Sequence, residues 1–179
     1  RRIHIDSSGS ATIELRLTDT LPPVDVPEDT RWVKRVKIKS EMLSEFWGQP
    51  MYLGATVLLP KGYEKNPDQS YPTVYVQNHF SLDPAFGFST TPEPSDTSSA
   101  LKSYPRSNVE IPNPWQGGGK RESGYEFYQA WASDTLSQMV AVTFQHPTPY
   151  YDDSYAVNSA NNGPYGDALT EELIPYLEE

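Results

Sequence analysis

Apolar and polar residues first alternate over residues 2–5 and 11–17, where Ile3, Ile5, Ile13, Leu15 and Leu17 take every second position. The Asp6-Ser7-Ser8-Gly9 stretch between them has turn composition, so the pair predicts an antiparallel hairpin. Residues 21–29, LPPVDVPED, hold three prolines and read as a connector. From 33 to 39 the alternation returns with Lys and Arg between the apolar residues, as in an exposed or edge strand.

Three later runs are apolar almost throughout: 51–59 (MYLGATVLL), 73–77 (TVYVQ) and 139–145 (MVAVTFQ). Strands apolar on both faces belong in a sheet covered on both sides, the layout of α/β proteins. Between the last two runs, Ser123-Gly-Tyr-Glu126 is a capping-box pattern opening a helix with Phe127, Tyr128 and Trp131. Strand, helix and strand together predict a βαβ unit with parallel strands. Residues 160–179, ANNGPYGDALTEELIPYLEE, predict a turn and an amphipathic helix whose stripe is Leu169, Leu173, Ile174 and Leu177. Pro175 lies inside it and removes one internal hydrogen bond. Residues 81–121 hold six prolines and Gly117, Gly118 and Gly119 without periodicity, which predicts a long loop or lid.

Composition narrows the class. The 179 residues suit one domain, read as an N-terminal β extension over 1–45 followed by an α/β unit over 46–179. A formal charge of −10 repels polyphosphate, which disfavours nucleic acid as a partner. The chain has no cysteine, so neither a disulfide framework nor a thiolate site is available. No stretch approaches the roughly 18 consecutive apolar residues of a membrane span. The first residues lack a signal-peptide core, so a secreted form would have lost its signal before Arg1. Compartment is undetermined, with a secreted or periplasmic setting preferred.

Ligands of α/β sheets bind beyond the carboxyl ends of the strands. His79 and His146 fall just after two predicted parallel strands and should share one rim, where they either bond loop backbone or contact substrate. Together with Asp152 or Asp153 they have the ligand types for a metal but no compact ligand motif, and no metal or cofactor is expected. The 147–166 stretch is dense in aromatic rings, carboxylates and amides, a composition suited to a polar organic molecule or a carbohydrate. Its candidates are Tyr150, Asp152, Tyr155, Asn158 and Asn161. A serine elbow, G-x-S-x-G, is approached only by Gly87-Phe-Ser-Thr-Thr91, which lacks the second glycine, so Ser89 reads as loop.

Residues 46–80, with LPKGY and the following YP, and 145–179, with YGDALTEELIPY, resemble the α/β-hydrolase family of enterochelin esterase and esterase D. The resemblance implies a partial α/β-hydrolase sheet that stops before the nucleophile elbow, with serine, acid and histidine expected beyond residue 179. It implies a serine-esterase mechanism on carboxylic esters, with Asn78, His79 and Phe80 in the oxyanion-hole region. It also implies that Tyr150, Asp152, Tyr155, Asn158 and Asn161 face a small-molecule or glycan ester, beside His146, a substrate-binding candidate from its place after a strand. The chain alone is then expected to be inactive and to pair with a missing C-terminal half or with copies of itself. The alternative is a non-catalytic assembly or carbohydrate-binding protein built on the same half-sheet.

Overall fold

The computed structural model describes residues 25–66, 68–78, 80–92, 123–134, 136–150 and 152–179. The expected hairpin at 2–17, His79 and most of the 81–121 loop lie outside the described residues. Four strands form one mixed sheet in the order β1-β2-β4-β3: β1 (Val33–Ser40), β2 (Met51–Leu58), β3 (Thr73–Val76) and β4 (Val140–Gln145). β1 and β4 run antiparallel to β2, and β3 runs parallel to β4. The expected βαβ unit is therefore present, with α2 (Gly124–Ala132) between its strands.

Two placements differ from the sequence reading. β2 runs opposite to β4, although its apolar run suggested a parallel interior strand. β3 closes one edge of the described sheet, with Thr73 and Val74 exposed, although TVYVQ suggested an interior strand. An apolar run records burial potential but not which strand lies beside it. β1 lies at the opposite edge, as its interleaved cations predict, and α1 (Glu41–Trp47) spans the boundary expected at residue 45.

Alternation along each strand gives the sheet two different faces. On the first, Leu53, Ala55, Val142 and Phe144 pack beneath α1 and the carboxyl-terminal helical run, which contributes Tyr165, Ala168, Leu169 and Leu173. α1 starts at Ser40, whose Oγ accepts the Leu43 N–H at 3.1 Å, and Glu172 Oε1 accepts the Met42 N–H at 2.9 Å. The final run comprises α3 (Tyr165–Asp167), a π-helical stretch (Ala168–Leu173) and α4 (Ile174–Glu178). The Ile174 N–H reaches back to the Leu169 carbonyl, and Pro175 thereby falls in the first turn of α4, where its missing N–H is least disruptive. Leu169 and Leu173 are buried, while Ile174 and Leu177 pack partly exposed against the same cluster.

The second face is divided along its length. Its lower half, with Val33, Leu58 and Ala141, is covered by Trp131 of α2 and by Ala85 and Phe88. α2 has the predicted capping box: Ser123 Oγ accepts the Glu126 N–H at 3.1 Å, and Glu126 Oε2 accepts the Ser123 N–H at 2.8 Å. Gly124 makes the close approach possible, because a Cβ there would stand 2.0 Å from the Gly87 carbonyl oxygen. The upper half carries polar residues and forms a groove among the described residues.

Candidate functional site

Because β3 and β4 are parallel, the residues following them emerge on one rim. A direct contact joins the two ends: His146 Nε2 lies 2.7 Å from Gln77 Nε2. On the other side of the ring, His146 Nδ1 lies 2.8 Å from Ser154 Oγ and 3.6 Å from Asp153 Oδ1. With Gln77 presenting its amide nitrogen, Nε2 is the acceptor and Nδ1 the donor. Ser154 Oγ also accepts the Ala156 N–H at 3.2 Å, and Asp153 Oδ1 accepts the Tyr155 N–H at 2.8 Å.

Serine, histidine and aspartate thus lie together, but not in the geometry of acyl transfer. A catalytic imidazole meets the nucleophile through one nitrogen and the acid through the other. Here Ser154 and Asp153 share Nδ1, while Nε2 faces an amide. Ser154 and His146 are both buried, His146 with no exposed surface, so neither presents itself to a substrate. The group ties the β3 and β4 ends to the 147–156 loop. Pro147 bridges Asp153, and the Thr148 N–H donates to the Asp152 carbonyl at 3.0 Å.

The other predicted residues separate by role. Tyr150 is 75% exposed and meets Trp47 edge to face at 5.7 Å, and Trp47 meets Phe46 likewise at 5.4 Å. Tyr155 is 71% exposed and holds φ of 55°, a left-handed backbone conformation uncommon outside glycine. Asp152 is exposed, and its Oδ1 accepts the Asp153 N–H at 2.8 Å. Asn158 is engaged with the start of the last helix, donating Nδ2 to Asp167 Oδ1 at 2.7 Å and accepting the Asp167 N–H at 3.0 Å. Asn161 is exposed in the turn between β5 (Asn158–Ser159) and β6 (Gly163–Pro164). Asn78 is half-buried just past β3, and Phe80 is 45% exposed. Ser89 Oγ donates to the Thr91 carbonyl at 3.0 Å and accepts its N–H at 3.3 Å, an ordinary loop arrangement. Among the described residues, no three His, Cys, Asp or Glu side chains converge as for a metal.

A groove of about 720 Å³ opens on this rim over the polar half of the second face, walled by Phe80, Leu82 and the 147–149 segment. Its sheet side is lined by the cross-strand rung Lys37–Gly54–Gln145 and by Arg35, whose rung partners Thr56 and Thr143 are buried beneath it. Gln145 is buried, donating Nε2 to Thr56 Oγ1 at 2.9 Å and to the Ser81 carbonyl at 3.1 Å. Gly54 makes room for it, since a Cβ there would lie 2.6 Å from Gln145 Oε1. The Leu82 carbonyl accepts from Thr56 Oγ1 at 3.2 Å and from an Arg35 terminal nitrogen at 3.4 Å, which holds the 80–82 segment over the sheet.

Sequence reasoning did not reach Gln77, Gln145, Ser154 or Arg35. A usable signal existed for Arg35 alone, because period-two alternation in VKRVKIK sets Arg35, Lys37 and Lys39 on one face. Beneath the rim, Tyr165 is wholly buried and donates its hydroxyl to the Pro147 carbonyl at 2.8 Å; burial raises its pKa to about 12.

No protein-family model matches the chain, and no curated protein matches it. A solved structure described as a ferulic acid esterase is 17% identical with a TM-score of 0.44, covering 82% of this chain and 44% of that one. The chain thus spans less than half the length of that protein, and at that score the likeness decides neither fold nor chemistry.

Proposed function

We propose that the chain is the N-terminal part of a serine-esterase-type hydrolase acting on carboxylic esters, with the nucleophile supplied by polypeptide outside these 179 residues. One observation carries the reading. β3 and β4 run parallel, and the segments that follow them supply Phe80, Leu82 and residues 147–149 to a groove over β1, β2 and the end of β4, beyond the strand carboxyl ends where α/β sheets hold their ligands. The sequence resemblance over 46–80 and 145–179 supports it. In this reading the backbone N–H groups around Asn78 and Phe80 face the ester oxyanion, and Tyr150, Asp152 and Tyr155 border the substrate. Among the described residues no strand pairs with the outer edge of β3, which suits a further parallel strand: Tyr75 donates its hydroxyl to Glu178 Oε1 at 2.7 Å, so the last helix ends beside that edge.

The test compares hydrolysis of 4-nitrophenyl acetate and butyrate by the 179-residue chain and by a chain continuing through a G-x-S-x-G segment. The short chain should give no turnover and no fluorophosphonate adduct, and the longer chain should give both. Turnover with an adduct on the short chain, or an inert longer chain, would overturn the reading.

A second reading, a non-catalytic carbohydrate-binding protein, draws on an aromatic row in which exposed Phe46 and Tyr150 flank the half-buried Trp47. Titration with neutral oligosaccharides tests it, since binding lost in Tyr150→Ala without any esterase activity in the longer chain would favour it.

A further inference from the structure

Five cations lie between Arg31 and Lys39 in a chain whose Lys and Arg total 14 and whose formal charge is −10. Two of them, Arg35 and Lys37, line the groove. Neither has a carboxylate within ion-pair distance among the described residues, where the ion pairs are Lys39–Glu41, Lys61–Asp134 and His146–Asp153.

Arg35 is fixed in position. One terminal nitrogen donates to the Glu28 carbonyl at 3.1 Å and the other to the Leu82 carbonyl at 3.4 Å, while Nε is buried without a hydrogen-bond partner. The nearby Asp29 carboxylate is engaged elsewhere, accepting the Arg35 main-chain N–H at 2.9 Å. A guanidinium partly withdrawn from water, with only neutral carbonyls to meet it, leaves a positive potential that a bound anion would offset. Lys37 adds a second charge with its Nζ 4.7 Å from the Tyr52 ring centroid. The remaining wall is apolar or aromatic at Tyr52, Phe80, Leu82, Pro147 and Pro149, with Gln145 and Thr148 as its polar members. A volume of about 720 Å³ lies within the range of roughly 300–1,000 Å³ typical of small-molecule sites.

We infer that this groove binds a small amphipathic organic monoanion, an aryl-alkyl carboxylate whose ring rests on the proline and aromatic wall and whose carboxylate faces Arg35 and Lys37. This is the groove that the esterase reading assigns to the ester, but anion binding by the 179-residue chain requires no catalytic serine, so its failure and the failure of the esterase reading are distinguishable.

Isothermal titration of the chain with 4-phenylbutyrate and with its neutral amide tests the site. The acid should bind at least tenfold more tightly than the amide, and that advantage should shrink as sodium chloride rises from about 50 to 500 mM, because exposed charge is screened. Lys37→Gln should weaken the acid about three- to tenfold and leave the amide unchanged. Arg35→Gln should abolish the difference, and because Arg35 also anchors two loops, Lys37→Gln keeps the test valid if that variant fails to fold. Equal affinities for acid and amide, absence of binding by either, or an unchanged acid affinity in Lys37→Gln would overturn the proposal.

Discussion

Replacing His146 with Phe separates a scaffold role from a chemical one. The ring is fully buried, 6.5 Å from the Tyr165 ring, so phenylalanine keeps most of the shape and removes both nitrogens. On the Nδ1 side, the buried Ser154 hydroxyl keeps the Ala156 N–H and loses the imidazole, a cost of about 1–2 kcal/mol. Asp153 keeps the Tyr155 N–H, and its 3.6 Å approach to the neutral ring is too long for a hydrogen bond, so its loss adds little. On the Nε2 side, Gln77 is exposed and rehydrates at little cost. The expected loss is about 1–2 kcal/mol, or roughly 3–7 °C in Tm for a chain of this size. Urea unfolding followed by circular dichroism measures it, with the slope m unchanged. Ser154 should take no fluorophosphonate label in the parent chain. A loss under about 0.5 kcal/mol, or labelling of Ser154 that His146→Phe abolishes, would refute the scaffold assignment.

Leu173→Ala empties a fully buried position between the last helix and the sheet and should cost about 3–4 kcal/mol in urea unfolding, whereas Leu177→Ala at the partly exposed end of the stripe should cost about 1 kcal/mol. Gly54→Ala should displace the Gln145 carboxamide from Thr56 and Ser81 and cost about 2–3 kcal/mol, with a shifted side-chain amide resonance for Gln145 as the specific readout. Burial raises the Tyr165 pKa to about 12, and burial followed by the Glu178 hydrogen bond raises that of Tyr75 to about 12. Folding therefore favours both neutral phenols: their stabilisation is complete below the unfolded value of about 10 and is lost as pH rises from about 10 to about 12. Tyr165→Phe should flatten that alkaline decline when stability is measured between pH 9 and 12.

The elements were legible in the sequence where local chemistry fixes them. The runs at 33–39, 51–59 and 139–145 begin and end within a residue of β1, β2 and β4, and the Ser123–Glu126 box opens α2 as written. The direction of β2 and the edge position of β3 were not legible, because strand order depends on what fills the connections rather than on the strands' own residues. The rim position of His146 followed from its place after β4. Its burial did not, since the polar groups enclosing it, Gln77 and Ser154, stand 69 and 8 positions away. Asn158 is a ligand-facing candidate from the ring-, carboxylate- and amide-rich composition of 147–166, while the turn preference of asparagine is the competing structural reading. In the structure its side chain bonds Asp167, nine residues on, and orders the start of the last helix.

The boundary between scaffold and groove follows from one change of composition across the second face. The Val33–Leu58–Ala141 rung is apolar and lies under α2, whereas the Arg35–Thr56–Thr143 and Lys37–Gly54–Gln145 rungs are polar. An apolar helix laid over those rungs would bury a guanidinium and an ammonium without counter-charge, at a cost of several kcal/mol each. The cover therefore stops at that rung, and the 80–82 segment bridges what remains through carbonyls that accept from Arg35, Thr56 and Gln145. The polar rungs also leave the buried Thr143 hydroxyl without a hydrogen-bond partner among the described residues, where valine would pack at no such cost. Stability alone would favour apolar rungs and a closed face. The polar ones hold the groove open beside the β4 carboxyl end, which makes them the most informative residues for learning what this chain binds.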